Sequence, residues 1–387
     1  MSVYLLSGAR TPSGSFLGSL SSVPATKLGA VAISGALAKA DIRPDQVDEV
    51  IMGHVVQAGC GQAPARQAAL FAGLPESVPC TTINKVCGSG MRTMIAGAQS
   101  ILSQDNQLVV AGGMENMSMA PHLLPSGRSG IKFGGGEIKD SMQWDGLWDV
   151  YSDRPMGNCA EECATKYEFS REAQDAFSIE SFKRAQKAMA EGIFAKEIVA
   201  VTVKGRKGDI VVENDEGPNK ADFTKIPNLR PAFDKNGTIT AANASTINDG
   251  AAALVVAGEE YKSRAKYKLV SWATHAQNPT WFTTAPVEAM KKCLDKAKLK
   301  ITDMDLFEIN EAFAVVPMAA MKEFNLNHAQ VNIFGGGVSL GHPIGCSGTR
   351  IVVTLMNALE TQNKRYGMAS ICIGGGEALA CIVEKIG

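Results

Sequence analysis

The sequence predicts an α/β fold made of two similar halves around a long insertion, and three observations carry that expectation. Strand-like and helical runs alternate as far as Gly112, the pattern of a mostly parallel sheet covered by helices. Segments of this first stretch recur in the last third of the chain. Between the two, from about Asn116 to Asn236, the texture changes.

The first half reads in order as strand Val3–Ser7, helix Ala25–Ala40, strand Glu49–Gln57, helix Pro64–Ala72 and strand Thr81–Val86. Helix Ser89–Leu102 and strand Leu108–Gly112 follow. The strands are short apolar runs and the helices longer periodic ones, which is how the two are told apart without coordinates.

The repeat is explicit. Ala38-Lys39-Ala40-Asp41-Ile42 through Asp48-Glu49-Val50-Ile51-Met52 lies over Asp295-Lys296-Ala297-Lys298-Leu299 through Asp305-Leu306-Phe307-Glu308-Ile309 with one constant shift. Gly88-Ser89-Gly90-Met91-Arg92 matches Cys346-Ser347-Gly348-Thr349-Arg350, and Val109–Gly113 resembles Ile371–Gly375. An internal duplication of this kind places equivalent turns on one face of a pseudo-twofold axis.

The insertion is rich in Gly, Pro, Ser, Met and Trp, then holds an amphipathic helix opened by Ser170 as N-cap and closed by Gly192. Long insertions usually cover a substrate or build an oligomer. The basic run Lys204 to Lys207 inside it reads as a solvated hairpin tip.

With 387 residues, 45% of them hydrophobic, the chain can bury a large core and is expected to be globular and soluble. A formal net charge of -1 gives no general attraction to nucleic acid or to an anionic membrane, so neither is an expected partner. Nine cysteines form no closely spaced framework, and an odd number suits a reducing compartment. They read as free thiols, with Cys159 and Cys163 as small helix residues rather than a zinc site. The N-terminal stretch shows no basic leader or long apolar span, which makes the cytoplasm the expected location.

Three segments carry chemistry. Cys87, in Asn84-Lys85-Val86-Cys87-Gly88-Ser89-Gly90, falls where the β-rich run Cys80–Val86 gives way to a helix. There the helix dipole favours the thiolate that attacks carbonyl carbon, although a cysteine after a strand is as often a buried apolar side chain. His342, in Gly341-His342-Pro343-Ile344-Gly345, is the best candidate for the base such a nucleophile needs; a structural histidine is the alternative. Cys372 ends an apolar strand and runs into Gly374-Gly375-Gly376, where bare backbone N–H groups let a substrate approach. It reads either as a core residue or as a second thiol tuned near neutrality for acid–base work on carbon. Asn310, opening Asn310-Glu311-Ala312-Phe313 after strand Leu306–Ile309, cannot titrate; it is a helix cap or a holder of water or an oxyanion. No P-loop, dinucleotide fingerprint or HExxH motif is present, so phosphate transfer, NAD binding and zinc peptidase chemistry are not leading readings.

Taken together these motifs resemble the thiolases nearly end to end. The marks are Ala9-Arg10-Thr11-Pro12, the Asn84 to Gly90 segment, Gly112 to Ser118, Ala241-Ala242-Asn243-Ala244-Ser245, Asn248 to Ala252, Asn310 to Phe313, Gly341 to Gly348 and Cys372 to Gly376. The Asn243-Ala244-Ser245 form is similar to that of short-chain, acetoacetyl-CoA-forming members.

The resemblance implies a thiolase fold: duplicated βαβαβαββ halves in a five-layer α-β-α-β-α sandwich with an inserted loop domain. The implied division is 1–116 plus 237–262 for the first half, 117–236 for the loop domain and 263–387 for the second half. Homodimers or homotetramers are the implied assemblies. The implied reaction is reversible Claisen condensation of two acetyl-CoA into acetoacetyl-CoA and CoA, with CoA thioesters as substrates and no metal or redox cofactor. Residue by residue, it implies Cys87 as the acetylated nucleophile, His342 as its activator and Cys372 as the base that removes the α-proton. Asn310, through a water, and His342 then hold one oxyanion, and the N–H groups of Cys87 and Gly374 the other. Ser245 and Ala241 would contact the pantetheine arm, with Leu147, Met156, Phe233 and Phe313 lining its tunnel.

Other readings compete. A broader-specificity 3-ketoacyl-CoA thiolase shares every motif. A decarboxylating condensing enzyme of the ketoacyl synthase type would replace Cys372 with histidine or asparagine. A silent acyl-CoA-binding relative would be expected to lose one of the three reactive side chains, and all three are present.

Overall fold

A computed structural model describes residues 2–387. The main strands are β1 (Val3–Arg10), β2 (Glu49–Gly53), β3 (Cys80–Ile83), β4 (Leu108–Asn116), β5 (Asn248–Ala257), β6 (Tyr267–Ala276), β7 (Leu306–Ile309), β8 (Tyr366–Ile373) and β9 (Glu377–Lys385). The helices are α1 (Ala25–Ala40), α2 (Pro64–Phe71), α3 (Ser89–Leu102), α4 (Met156–Tyr167), α5 (Arg171–Ala190), α6 (Ala285–Ala297), α7 (Val315–Phe324), the single turn α8 (Gly337–Leu340) and α9 (Ile344–Thr361).

Helices α1 and α3 occupy the expected residues. Strand β2 is shorter than expected, stopping at Gly53; the His54 N–H to the carbonyl of Ile83 is the last rung of its ladder with β3. Strand β3 stops at Ile83 because Asn84 Oδ1 accepts the Val86 N–H at 2.9 Å and bends the backbone into a turn.

The strands pair in the order β7-β8-β9-β6-β1-β5-β4-β2-β3. Only β7–β8, β4–β2 and β2–β3 are parallel, so the sheet is mixed rather than mostly parallel. The reason is local at β8 and β9. Gly375 and Gly376 hold φ of +89° and +84°, a tight turn that brings the chain straight back antiparallel.

The repeat seen in the sequence is the architecture. One half runs β1-β5-β4-β2 and the other β6-β9-β8-β7, joined where Val3, Tyr4 and Leu5 of β1 pair with Leu269, Lys268 and Tyr267 of β6. Three apolar cores separate the layers. Helices α1 and α2 cover the outer face of the first half through Leu28, Ile33, Leu37 and Ala68 against Val50, Val110 and Val255. Helices α6 and α7 do the same for the second half through Met290, Leu294 and Val316 against Ile309, Met368 and Ile382. Helices α3 and α9 fill the space between the sheets, with Met91, Met94, Ile95, Ile351 and Leu355 packed on residues of both halves.

Where α3 crosses α9, each half contributes a glycine at the equivalent position. A Cβ on Gly90 would stand 2.7 Å from Thr349 N, and one on Gly348 would stand 2.4 Å from Met91 N. Backbone is the obstacle in both cases, so the helices would have to separate. Gly348→Ala is therefore expected to destabilise the fold by about 1–3 kcal/mol, the usual cost of overpacking, read as a lower urea midpoint at unchanged slope.

The segment between β4 and β5 carries α4, α5 and small hairpins. Ser170 Oγ accepts the Ala173 N–H at 3.2 Å as the N-cap of α5, and Gly192 closes the end at φ +68°. Its buried face is more polar than an ordinary amphipathic helix, since Gln174, Asp175, Ser178 and Ser181 all point inward. The run Lys204–Lys207 caps the hairpin Val201–Val203/Ile210–Val212 and is exposed, as expected. Arg10 ties this segment to β1: its guanidinium reaches Glu197 at 2.6 Å and Asp215 at 2.7 and 2.9 Å, all buried. All nine cysteines are free. Among the described residues no helix is long and apolar enough to cross a membrane.

Candidate active site

Cys87 sits on a bent turn between β3 and α3. Ser89 Oγ accepts the Lys85 N–H at 2.8 Å and donates to the Val86 carbonyl at 2.6 Å, tightening Lys85 to Ser89 into one loop. Val86 pays for it with φ of +45°, a left-handed conformation that a β-branched residue rarely adopts. Strain of this kind persists where the surroundings over-determine it, and reactive positions are where it collects.

The second half brings its own turn opposite. His342 lies between α8 and α9, its N–H directed at the Thr246 carbonyl (3.3 Å) and Asn248 Oδ1 (3.2 Å). Its Nδ1 is 2.6 Å from Ser347 Oγ, and that hydroxyl donates its one hydrogen to the Pro343 carbonyl at 2.9 Å. Ser347 must then accept from Nδ1–H, which leaves Nε2 with a free lone pair. Nε2 is the ring atom with no protein partner. Ser347 was legible in the sequence only as part of the repeat; spacing of five from a histidine at a helix start was the available signal.

Burial decides the protonation states. Removal from water pushes the Cys87 thiol up to about 11, only partly offset by its own N–H and that of Gly374 pointing at the sulfur. Burial, with the Arg350 charge adding to it, pulls the His342 imidazole down to about 3. The resting pair is thus thiol and neutral imidazole. The expectation of a thiolate held by the α3 dipole fails because desolvation outweighs a dipole effect of about 1 kcal/mol.

Cys372 closes β8 beside Cys87. Burial raises its thiol well above the ordinary value, and a thiolate on Cys87 would raise it further, so it is not tuned to neutrality. Asn310 follows β7 with its N–H on the Ser370 carbonyl at 2.9 Å. Its side chain is fully buried and neither amide atom has a protein partner. The next residue, Glu311, is the opposite case: it accepts from Ser181 Oγ (2.8 Å), Asn332 Nδ2 (2.8 Å) and Val338 N–H (3.1 Å). The polar face of α5 therefore locks the loop that leads to His342, while Asn310 is left free to bind something else.

Cys87, His342 and Gly374 wall one cavity of about 280 Å³. Of the expected arm-binding residues, Ser245, Leu147, Met156, Phe233 and Phe313 share the wall. Ala241 does not: the Asn243 side chain turns inward to Thr240 N–H, Asp175 and the Thr238 carbonyl, which leaves Ala241 exposed outside. Cys372 and Asn310 are likewise buried behind the wall rather than in it. Met117, Phe282 and Ile344 also line it, with Gly146, Gly157, Ala244 and Ala312; Thr246 and Ile247 were missed, being neutral or apolar residues outside the quoted motifs. Phe313 holds the far side, edge-on to Phe233 at 6.1 Å and to Phe282 at 6.3 Å.

A duplicated α/β sandwich whose central helices present one thiol and one imidazole to a shared cavity defines a class. The chain belongs to the thiolase family: residues 3–260 match "Thiolase, N-terminal domain" and residues 263–385 match "Thiolase, C-terminal domain". Among its relatives, Acetyl-CoA acetyltransferase 2 of Arabidopsis thaliana is 50% identical, covering 99% of this chain and 97% of that one. Acetyl-CoA acetyltransferase of Schizosaccharomyces pombe is 48% identical over 99% of both, and the mitochondrial acetyl-CoA acetyltransferase of Rattus norvegicus 49% over 99% and 91%. The crystal structure of Acat5 thiolase from Ascaris suum in complex with coenzyme A superposes with a TM-score of 0.95 at 45% identity, over 100% of both chains.

Proposed function

We propose that this thiolase is an acyltransferase that joins two acetyl-CoA into acetoacetyl-CoA and CoA, reversibly, through an acetyl group carried on Cys87. The observation that carries this reading is the unpartnered His342 Nε2 in the same cavity wall as the Cys87 sulfur, with the Gly374 N–H directed at that sulfur and Cys372 beside it. The acetyl-CoA acetyltransferases among its relatives and the CoA-bound structure support it.

In the first half-reaction His342 Nε2 takes the Cys87 proton as the sulfur bonds the acetyl carbonyl carbon. The bond to the CoA sulfur breaks, and the departing CoA takes its proton from Cys372. The oxyanion formed on the way is met by the N–H groups of Cys87 and Gly374. A well-placed donor of this kind is typically worth about 10²–10³ in rate. In the second half-reaction the Cys372 thiolate removes the α-proton of a second acetyl-CoA, whose enolate oxygen faces His342 and the water held by Asn310. The new carbon–carbon bond expels Cys87 as thiolate, and protonated His342 returns its proton. A small apolar cavity ringed by Met156, Phe233 and Phe313 favours short acyl groups. The nine free thiols suit a cytoplasmic setting, and a homodimer or homotetramer is the assembly that goes with this reading.

Intact-protein mass spectrometry after incubation with acetyl-CoA tests the assignment. One acetyl group per chain, mapped to Cys87, is expected; label on any other cysteine removes Cys87 from its role. Ser347→Ala is expected to slow acetylation by about 10-fold or more, a share of the 10²–10⁴ that a positioned base contributes, because the imidazole loses the partner that fixes its tautomer. An unchanged rate would show that the Nδ1 contact does not matter.

A further inference from the structure

Glu115 takes no part in the steps above and is absent from the cavity wall, yet its carboxylate holds the turn that carries His342. It stands near the end of β4 and is 0% exposed. Both of its oxygens are engaged. Oε2 accepts the N–H groups of Val55 at 3.1 Å and Gly345 at 2.9 Å; Oε1 accepts that of Val56 at 3.1 Å, with His54 Nε2 3.2 Å away. Val55 and Val56 belong to the first half, in the buried stretch after β2, whereas Gly345 belongs to the second half, in the first turn of α9. The first N–H groups of a helix have no partner inside it, and Pro343, the residue before α9, has no side chain that could accept one. Glu115 supplies that acceptor across the seam between the halves, with its charge at the favourable end of the helix dipole.

The fit leaves little room for movement. A Cβ on Gly345 would stand 2.7 Å from Glu115 Oε2 and 2.8 Å from the Met114 carbonyl, and one on Gly113 would run into the Gly345 carbonyl. The first turn of α9 therefore lies directly on β4. His342 is three residues before Gly345, and Ser347, which binds its Nδ1, is two residues after it in the same turn. We propose that Glu115 is a positioning residue for acetyl transfer to Cys87: it clamps the first turn of α9 to the first half and so fixes where His342 Nε2 stands relative to the Cys87 sulfur. This inference rests on the acetyl transfer proposed above. As a charge alone Glu115 hinders that step, because burial raises the Cys87 thiol and the Glu115 charge adds to the rise. Its contribution is therefore placement, and a base displaced by about 1 Å can cost about 10²-fold in rate.

The experiment measures acetylation of Cys87 in a single turnover by intact-protein mass, together with CoA affinity, for Glu115→Gln and Glu115→Asp, each alone and each combined with His342→Gln. The amide offers one acceptor oxygen where two are engaged, and the aspartate keeps the charge but is one methylene short, so neither holds all three N–H groups. Each is expected to slow acetylation by about 10²-fold in the otherwise unsubstituted enzyme and by no more than about 2-fold in the His342→Gln background, where no base is left to position. CoA affinity is expected to be unchanged, since the wall formed by Ser245, Phe233 and Phe313 is untouched. Equal slowing in both backgrounds would make Glu115 a residue of the fold only, and faster acetylation in Glu115→Gln would show that its charge on Cys87 is what counts; either overturns the clamp. Should Glu115→Gln not fold, Glu115→Asp, which keeps the buried charge, carries the comparison. Absence of acetyl on Cys87 in the unsubstituted enzyme would remove the acetyl-transfer reading and the clamp with it, whereas equal slowing removes the clamp alone.

Discussion

Cys372→Ala is expected to separate the two half-reactions: the enzyme still acquires one acetyl group on Cys87, and formation of acetoacetyl-CoA falls by about 10⁴-fold, the upper end of what a positioned base contributes. Acetylation survives because its parts lie elsewhere. The nucleophile and its base are Cys87 and His342, the sulfur is met by the Gly374 N–H, and a departing CoA thiolate can draw a proton from His342 or solvent. Carbon–carbon bond formation does not survive. The α-proton of a thioester needs a strong base held against it, and a thiol whose burial opposes ionisation is a strong base once its proton has been taken. Acetylation of Cys87 also rules out a second thiolate beside Cys372, so the second half-reaction is prepared by the first. Acetyl-enzyme measured by mass and acetoacetyl-CoA measured by absorbance on the same sample check this. Loss of both activities together would mean that the Cys372 proton cannot be replaced in the first step or that the side chain is needed for the fold. Retention of condensation would take Cys372 out of the chemistry.

Much of this site was legible in the sequence because its parts are local. Cys87, His342 and Cys372 each stand where a strand or turn meets a helix or a glycine run, and the internal repeat said that such turns share a face. The repeat also aligned Gly90 with Gly348, the two positions that meet where the central helices cross. What sequence could not carry was anything that depends on depth. The thiolate expected at Cys87 is reversed by burial, and burial likewise decides against the neutral-range alternative at Cys372, which no motif records. The place of Ala241 outside the cavity wall has a similar cause: which of the segment's five residues points inward is set by the hydrogen bonds of Asn243. The polar buried face of α5 was hidden too, because Ser181 looks like a surface residue until Glu311 and Ser339 are seen against it.

His342→Gln is the second large effect expected, lowering the acetylation rate by about 10²–10⁴ through loss of the base, and it carries a pH signature. A folded-state value of about 3, against about 6.5 for a free imidazole, means His342 is neutral at every pH above roughly 4. The acid limb of the acetylation rate should therefore show no inflection near 6.5, and Cys87 at about 11 adds none below pH 9. Stability behaves differently. Between about 3 and 6.5 the unfolded chain binds a proton at this position that the folded chain does not, so stability rises with pH across that window and is lost on acidification. The slope from one such group approaches about 1.4 kcal/mol per pH unit. His328, pulled down to about 4 by burial and then by the Arg184 charge, adds in the same direction. His54 has the opposite sign: raised to about 9, it contributes stability that is complete below about 6.5 and fades as pH climbs through 9. In His342→Gln the acid-side slope should flatten while the alkaline fall set by His54 stays, measured by urea unfolding from pH 4 to 9. An acetylation rate that titrates near 6.5 in the unsubstituted enzyme, or an acid slope unmoved by His342→Gln, would show that the imidazole is not held neutral and that its proton is not taken from Cys87 in the way the geometry requires.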